Sequence, residues 1–400
     1  MLSKLILEQV VVSQKERLNL MNPGLPRRIT DFTSLSSHAL IVSGIRRCGK
    51  STLLQQINRT FSGQSIYLNF EDPRLAGFDL SDFNRIHEIA VKEGTSAYFF
   101  DEIQNIDNWE SFVRFRLDEG FRIFITGSNA SMLSKELGTK LTGRHITKEL
   151  FPFSYSEYLA FTDQESGADS SGKYMKSGGF PEYLKTGLPE VLMHAFNDIV
   201  IRDIAIRNNL KSTQVLQQLA VWLVSNTGKP VSGNSLKKTF QISSSSSIMD
   251  YLSFFVDAYL FFFIPKFSYS HKVQLVNPKK VYCIDNGLIE INSVSFNDDY
   301  GRMLENMVFM QLRRQTPDIY YFQDKNECDF VVFEQGKLKG LYQVCWQLDQ
   351  NNMDRELNGL VEAMNFFDLK NAKLITFDQS DTFVIDDKTI EAMPFHKWAI

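Results

Sequence analysis

The sequence predicts an α/β protein that begins with a parallel sheet and continues into further domains. Three observations support this prediction. At about 100 to 200 residues per domain, the 400 residues favour two or three domains. Beyond residue 210, three helical segments precede strand-like runs. Before it, apolar strand candidates alternate with helix-length segments, which is typical of parallel sheets with covered faces; they lie at residues 39–42, 65–70, 96–102 and 121–129.

The composition excludes several classes of protein. With 43% hydrophobic and 22% charged residues, the chain can bury a core and is not a disordered tail. The 43 Lys and Arg against 47 Asp and Glu leave a net charge of -4, so any nucleic-acid binding has to be local. The four cysteines form no CxxC pair, which argues against a disulfide framework or a zinc cluster. No long apolar run or secretory signal is evident, so we expect a cytoplasmic protein without a membrane segment.

A phosphate-binding loop is the strongest motif. Residues 44–51 match the pattern G-x-x-x-x-G-K-[ST], after an apolar strand and at the start of a helix. Such a loop wraps a polyphosphate with backbone N–H groups, and the helix N-terminus adds partial positive charge. Lys50 would reach the β- and γ-phosphates, Ser51 would bind Mg²⁺, and Thr52 would lie near the α-phosphate. The alternative is a chance match in a strand-turn-helix corner. The predicted nucleotide-binding residues are Gly44, Ile45, Arg46, Arg47, Cys48, Gly49, Lys50, Ser51 and Thr52.

Two acids end the apolar strand that contains residues 97–100. In a nucleotide hydrolase, Asp101 would hold the Mg²⁺ water shell and Glu102 would polarise the attacking water. Taken alone, such acids often mark only the point where a strand reaches solvent. Their position about 50 residues after the phosphate-binding loop favours the catalytic interpretation.

Two further polar positions are candidates for catalysis. Ser128 or Asn129, after the next strand, would position the water, although Gly-Ser-Asn is also common in plain turns. Arg144 could compensate charge on the transferred phosphate, either in its own chain or in a neighbouring subunit. The alternative for Arg144 is a solvated side chain.

The middle of the chain predicts a winged helix. Residues 210–292 contain three helical segments followed by a strand pair, which is the order of that fold. This region has eight lysines against four acids, the opposite sign to the whole chain. The third helix, over residues 243–259, begins with five serines and offers no arginine for base edges, so sequence-specific reading of DNA is not expected. A protein-contact role is an equal alternative.

Together these segments resemble one family of prokaryotic AAA-type P-loop ATPases with a C-terminal nuclease-like domain of unknown function. The resemblance implies ATP and Mg²⁺ as ligands of residues 44–52, and Asp101 and Glu102 as the acids at the strand end. It implies an AAA core, a winged-helix region and a C-terminal domain similar to PD-(D/E)XK nucleases. It leaves the biological role open. The matching segments are GIRRCGKST, YFFDEIQNIDNWE, ITGSNA, LTGRH, LFPFSYSEYL, IVIRDIAIRN, CIDNGLI, LENMVFMQLRR and ECDFVV.

On this resemblance we expect four parts. Residues 1–35 would be a lead-in helix and turn, and residues 36–209 the ATPase domain with a helical extension. The winged helix would occupy residues 210–292. The nuclease-like domain would fill residues 293–400.

The nuclease-like domain is predicted to be degenerate. Such enzymes hold a divalent metal with carboxylates on adjacent strands and a helix, and a lysine helps to activate water. Glu305 and Asp329 stand at matching positions, but Gln343 replaces the acid of the third position and Cys345 replaces the lysine. A neutral amide binds Mg²⁺ weakly, so the domain would keep its fold without cutting. The alternative for Glu305 and Asp329 is a helix acid and a strand-end acid without a site.

The leading hypothesis is therefore a Mg²⁺-dependent ATPase that couples its nucleotide state to movement of the winged-helix and nuclease-like domains. A nucleotide-gated scaffold with little turnover is the alternative, with DNA bound through the winged helix or with a protein partner. An active nuclease is the least favoured hypothesis. The oligomeric state is left open, and a role of Arg144 between subunits would require an oligomer.

Overall fold

A computed structural model describes two compact units. One contains residues 1–150 with 257–259, and the other contains residues 151–256 with 260–400. The segment 151–209, which we expected to extend the ATPase domain, is thus grouped with the C-terminal unit. The residues that the structure describes are 1–27, 37–129, 141, 143–210, 212–242, 244–294 and 299–400.

The described strands of the first unit form a five-stranded sheet in the order β2-β3-β4-β1-β5. Every neighbouring pair is parallel, which confirms the predicted parallel sheet. All residues of β1 and β3 are buried, as expected for strands covered on both faces. The strands are β1 (Ala39–Ser43), β2 (Ser65–Asn69), β3 (Ala97–Asp101), β4 (Arg122–Gly127) and β5 (His145–Glu149).

Helices of the first unit complete its core. Phe83 stacks on Phe112 with ring centroids 4.7 Å apart, and Phe100 of β3 lies 5.8 Å from Phe83. These aromatic side chains bury a large apolar area at the sheet surface, which stabilises the helices on it. The helices are α1 (Lys4–Leu20), α2 (Lys50–Thr60), α3 (Leu80–Lys92) and α4 (Trp109–Asp118).

Helix α1 belongs to this core and is not a separate lead-in segment. Leu7 and Val10 are fully buried in the same cluster as the central strands. The side chain of Gln14 makes two hydrogen bonds to the backbone of Asn69, the last residue of β2. Its amide oxygen accepts from the N–H at 2.7 Å, and its amide nitrogen donates to the carbonyl oxygen at 3.2 Å. The apolar face of α1 thus supplies part of the sheet's cover.

The second unit begins with helices at Tyr155–Thr162 (α5), Ala168–Ser177 (α6), Pro181–Thr186 (α7) and Pro189–Asp198 (α8). The chain continues from α8 in a wider π-type helix over Ile199–Ile206. Within the polar stretch 162–173, residues 168–173 form the first part of α6. Ser170 is buried there and its hydroxyl lies 2.7 Å from that of Tyr155, so the polar side chain is satisfied inside the fold.

The middle of the second unit contains helices at the three predicted places and a small antiparallel sheet. The described strands have the order β6-β8-β7. The winged-helix assignment of this region stays a prediction. The elements are α9 (Thr213–Ser225), β6 (Pro230–Val231), α10 (Gly233–Phe240), α11 (Ser245–Asp257), β7 (Phe261–Pro265), α12 (His271–Val276), β8 (Lys279–Cys283) and α13 (Asn286–Asn292).

The chain ends in a mixed sheet whose described strands have the order β13-β14-β12-β11-β10-β9. Strand β10 is antiparallel to both of its neighbours, whereas β11 is parallel to β12. Similarity to a nuclease fold stays a prediction. The elements are α14 (Tyr300–Arg313), β9 (Ile319–Gln323), β10 (Glu327–Glu334), β11 (Lys337–Cys345), α15 (Met353–Phe367), β12 (Asn371–Thr376), β13 (Asp381–Ile385), β14 (Lys388–Pro394) and α16 (Phe395–Trp398). Within the described ranges, no helix is both long and apolar enough to cross a bilayer.

Candidate nucleotide-binding site

The loop between β1 and α2 curls at the carboxyl edge of the parallel sheet. Arg47 and Gly49 have φ angles of 66° and 103°, in the left-handed region. Gly44 approaches β5 so closely that an added Cβ would lie 2.1 Å from the carbonyl oxygen of Leu150. Glycine is therefore required at position 44 by space. The loop leads directly into α2, whose first-turn N–H groups have no partners within the helix and suit an anion.

Lys50 lies over this loop with its side chain only 3% exposed. Its ammonium donates to the carbonyl oxygen of Ile45 at 3.1 Å and lies 3.4 Å from Oε1 of Glu102. A buried ammonium needs such partners. Phosphate oxygens entering the loop would be stronger partners for it than a carbonyl group.

Asp101 is fully buried at the end of β3 and is held by hydroxyl groups. Thr126 donates to one carboxylate oxygen, and Tyr67 donates to the other at 2.8 Å. The nearby Ser51 hydroxyl lowers the pKa of this carboxyl. Burial raises the pKa of Asp101 and the charge of Glu102 raises it further, whereas these hydroxyl groups favour the ionised form.

Glu102 follows in a left-handed conformation with φ of 53°. Its N–H donates to the Thr126 hydroxyl oxygen at 3.0 Å. Its carboxylate accepts from the Gln104 amide, which also lies 3.3 Å from the Ser128 hydroxyl. Burial raises the pKa of Glu102, but the Lys50 ammonium, the Gln104 amide and the Arg46 guanidinium together outweigh burial, so the pKa lies below its usual value and the group stays ionised.

Strand β4 lies between β1 and β3 and brings the other polar candidates to the same edge. Its last residue, Gly127, pairs with Ser43, which directly precedes the loop. Ser128 and Asn129 therefore emerge between the loop and the two acids, and both are buried. This position agrees with the predicted site, while the roles of Ser128 and Asn129 stay predictions.

The loop arginine and cysteine side chains contact the protein. Arg46 pairs with Glu71 at 2.9 Å. Cys48 donates to the carbonyl oxygen of Leu150 at 3.3 Å, and burial raises the pKa of its thiol. Arg27 donates to the Cys48 carbonyl at 3.2 Å, which fixes the loop backbone from the other side.

Arg144 lies at the opposite edge of the sheet. Its carbonyl accepts from the N–H of Ala39 at the beginning of β1, whereas the loop follows the end of that strand. Five strand residues separate the two edges by roughly 16 Å at the usual rise per residue. The half-exposed side chain pairs with Asp118. Arg144 therefore cannot compensate charge on a phosphate bound in its own chain, and this part of the prediction is wrong.

The residues at the carboxyl edge fit a magnesium nucleotide. Mg²⁺ is commonly held by one or two protein oxygen atoms together with phosphates and water. Ser51 and Asp101 supply a hydroxyl and a carboxylate that lie close enough for the hydroxyl to lower the pKa of the carboxyl. Among the described residues, no group of three or more His, Cys, Asp or Glu side chains could hold a metal on its own.

Three site residues escaped the sequence analysis, namely Tyr67, Gln104 and Thr126. Tyr67 and Thr126 lie inside apolar strand segments, and Gln104 follows the acids by two positions. Tyr67 and Thr126 each place a hydroxyl group in an otherwise apolar strand segment. Because a buried hydroxyl group needs a hydrogen-bond partner, this pattern could have indicated a polar site next to the strand. Strand order, which sequence reasoning did not establish, decides that Thr126 reaches Asp101.

The structure also brings Glu305 and Asp329 together in the C-terminal unit. Both carboxylates contact the ammonium of Lys280, at 3.1 and 2.8 Å, and Glu327 contacts it at 2.8 Å. Burial raises the pKa of Glu305 to about 7, and Lys280 and Tyr282 act against this rise. Lys280 and Glu327 were missed. Glu327 shares a strand face with Asp329 because side chains two apart point the same way.

Gln343 connects elements of this unit through its amide group. Its oxygen accepts from the N–H of Asp329 at 3.1 Å, and its nitrogen donates to Glu356 at 2.7 Å. The thiol of Cys345 donates to the carbonyl of Gln347 at 3.2 Å. The side chains of Gln343 and Cys345 thus make hydrogen bonds within the fold. Neither supplies the carboxylate or the ammonium group that a nuclease of this type needs at these positions.

Comparisons with known proteins match two parts of the chain to family models. A model described as an AAA domain matches residues 36–159, and a model of a domain of unknown function matches residues 169–295. An uncharacterized protein of Haemophilus influenzae is 30% identical over 79% of this chain and 84% of its own length. Among solved structures, the Walker-type ATPase PABY2304 of Pyrococcus abyssi has 14% identity and a TM-score of 0.44, covering 68% of this chain and 99% of its own.

The uncharacterized protein MJ1544 of Methanocaldococcus jannaschii is 34% identical over 99% of this chain and 96% of its own length. The alignment spans both units, and the AAA model covers the whole loop and both acids. The chain therefore belongs to the protein family that includes MJ1544, with an AAA-type P-loop domain in its N-terminal part.

Proposed function

We propose that this protein is a Mg²⁺-dependent ATPase whose active site lies at the carboxyl edge of the parallel sheet. The observation that carries the proposal is the convergence of four groups from two elements, the start of α2 and the end of β3. Lys50 lies 3.4 Å from Glu102, and the Ser51 hydroxyl is near enough to Asp101 to lower the pKa of its carboxyl. The AAA model spans all four residues, which supports a nucleotide as the ligand.

Binding of the triphosphate would use the loop backbone and the N-terminus of α2. Both present N–H groups to an anion, and the Lys50 ammonium adds a full positive charge. Ser51 and Asp101 would hold Mg²⁺ directly or through water. Bound there, Mg²⁺ neutralises negative charge on the β- and γ-phosphates.

Hydrolysis would depend on Glu102 as the group that polarises water. Its carboxylate is ionised and is oriented by the Gln104 amide. Ser128, which contacts the same amide, and Asn129 would orient the water from the β4 side. General base assistance of this kind commonly contributes a factor of about 10² to 10⁴ in rate.

The contact between Lys50 and Glu102 suggests how binding prepares the site. Without nucleotide, the ammonium has the Glu102 carboxylate and the Ile45 carbonyl as partners. Phosphate oxygens would compete for the ammonium, since charge-assisted bonds to phosphate are strong. Glu102 would then be free to accept a proton from water.

We further propose that the nucleotide state changes the conformation of the winged-helix and nuclease-like regions. The segments that we predict to form these regions, residues 210–292 and 293–400, follow the ATPase core, and nucleotide-driven rearrangement is a common output of such sites. DNA bound through residues 210–292 is the alternative output. Lys280 cannot contribute to DNA contact, because it is buried among carboxylates. Hydrogen exchange of the C-terminal unit with and without a non-hydrolysable ATP analogue tests the coupling.

The replacement of Lys50 by Ala tests the ATPase proposal. Binding of a fluorescent ATP analogue and Mg²⁺-dependent phosphate release should both be lost. The thermal midpoint of unfolding should fall, because Glu102 loses its buried ion-pair partner, so circular dichroism at the assay temperature checks that the variant is folded. Lys92, exposed at the end of α3, provides the matched control, and Lys92→Ala should behave as the parent protein. Unchanged Mg²⁺-dependent phosphate release by Lys50→Ala would refute the proposal.

A further inference from the structure

A cluster of carboxylates in the C-terminal unit surrounds the ammonium group of one buried lysine. Lys280 extends from β8 with 3% of its side chain exposed. Its ammonium lies 3.1 Å from Glu305, 2.8 Å from Glu327 and 2.8 Å from Asp329. The Tyr282 hydroxyl donates to the same oxygen of Glu305 at 2.6 Å. One positive charge thus meets carboxylates from α14 and β10.

Two of these carboxylates, Glu305 and Asp329, are the ones that the resemblance to PD-(D/E)XK nucleases would assign to a divalent metal. The residues do not fit a metal. Mg²⁺ requires its oxygen ligands at about 2.0 to 2.1 Å, with near-octahedral geometry. The ammonium of Lys280 already occupies the space between the carboxylate oxygens of Glu305, Glu327 and Asp329. A metal could bind there only if Lys280 left its buried position.

The packing around Lys280 opposes any movement of its side chain out of the cluster. Its side chain lies in the buried strand β8, whose next inward residue, Tyr282, stacks on Phe309 of α14 at 4.2 Å. Asn306 of α14 also donates to the carbonyl of Cys283 and accepts from its N–H, both at 2.9 Å. Strand and helix are therefore fixed to each other beside the ammonium.

We propose that the ammonium of Lys280 takes the place of a divalent cation in this carboxylate cluster. The cluster is then a permanent, metal-independent link between β8, α14 and β10. It holds two sheets of the C-terminal unit together and excludes metal-dependent cleavage chemistry there. This inference does not depend on the proposed ATPase function.

Mn²⁺ binding without nucleotide tests the proposal, because nucleotide-free protein keeps the P-loop site out of the measurement. Electron paramagnetic resonance of Mn²⁺ titrated with the full chain should show no binding at this cluster in the parent protein. Lys280→Met should unfold at a lower temperature. Because the vacated carboxylates can then bind metal, 1 mM Mn²⁺ should raise its midpoint by about 5 °C.

Two controls make the result specific. Lys279→Met changes the neighbouring lysine, whose side chain points to the other face of β8, and should show neither the loss nor the Mn²⁺ response. Adding Asp329→Asn to Lys280→Met should abolish the Mn²⁺ response. If Lys280→Met folds only in the presence of Mn²⁺, the proposal is equally supported.

The proposal is overturned by any of three results. The first is Mn²⁺ binding by the nucleotide-free parent that Asp329→Asn removes. The second is Lys280→Met with parent-like stability and no Mn²⁺ response. The third is Lys280→Met that stays unfolded with and without Mn²⁺, since a metal would then not replace the ammonium.

Discussion

Thr126 donates a hydrogen bond from its hydroxyl to the carboxylate of Asp101 on the neighbouring strand. The same hydroxyl oxygen accepts the N–H of Glu102 at 3.0 Å. One side chain of β4 thus orients both acids that follow β3. The position of the two acids, and the ionisation of Asp101, therefore depend on a residue that contacts neither water nor phosphate in the proposed mechanism.

Thr126→Val should weaken the site without changing side-chain volume. It leaves a buried carboxylate oxygen and a backbone N–H each without a partner, and such losses cost about 1 to 3 kcal/mol of stability. Mg²⁺-dependent ATP turnover should fall at least about tenfold if the loss acts on the transition state. Thr126→Ser, which keeps the hydroxyl, is the matched control. Equal turnover in the two variants would exclude this role.

Glu102→Gln should separate nucleotide binding from hydrolysis. The amide cannot accept a proton from water, so turnover should fall by a factor of about 10² to 10⁴. Affinity for the ATP analogue should be retained, because Lys50 and the loop are unchanged. Glu93→Gln, at an exposed helix end, should leave turnover unaffected. Normal turnover in Glu102→Gln would mean that another group polarises the water.

Gly44→Ala should disrupt the loop. The added methyl group would lie 2.1 Å from the Leu150 carbonyl oxygen, far inside van der Waals contact, so the backbone has to move. We expect the affinity for the ATP analogue to fall at least about tenfold, as the N–H groups lose their alignment. Gly167→Ala, where nothing lies within 4 Å, is the control. Parent-like affinity in Gly44→Ala would show that the loop tolerates this shift.

The stability of the C-terminal unit should fall as pH rises through neutrality. Burial raises the pKa of Asp285 to about 7, although the N–H groups of Gly179 and Gly287 donate to it at 2.7 and 2.9 Å. The unfolded value is about 3.9, so the folded state holds this proton more tightly. The contribution to stability is complete below about pH 4 and is lost as pH rises through about 7.

The replacement of Asp285 by Asn tests this pH dependence. Thermal midpoints at pH 5, 6, 7 and 8 should decline less steeply in Asp285→Asn than in the parent, whatever the absolute stability of the variant. Glu305, whose pKa is also raised to about 7, contributes in the same direction and leaves a residual slope. Parallel curves for the parent and the variant would contradict the assignment to Asp285.

Much of the nucleotide site could be predicted because its signals are local. The loop over residues 44–51 is contiguous, and its glycines and lysine stand in a spacing that only a phosphate-binding turn commonly uses. The acids end an apolar strand, and in a parallel sheet the strand ends share one edge. The alternation of strand and helix segments was sufficient to predict the parallel α/β sheet of the first unit.

Other features required the strand order. The spacing in the sequence does not reveal that β4 lies between β1 and β3, so the bond from Thr126 to Asp101 could not be predicted. The position of Arg144 could not be predicted either, because only the strand register shows that it lies at the edge of the sheet opposite the loop. Helix α1 was predicted as a helix, yet its place in the core depends on residues over 50 positions away.

The amino-acid sequence by itself determined the loop, its lysine and its two acids, because each belongs to one short segment with its own backbone and side-chain requirements. Tertiary structure alone decided that Lys280 meets Glu305, Glu327 and Asp329. A buried charge selects its partners by distance in space, and these residues lie between 25 and 49 positions from Lys280 along the chain. The sequence placed carboxylates in the C-terminal unit, and the packing of β8 against α14 and β10 decided which cation they bind.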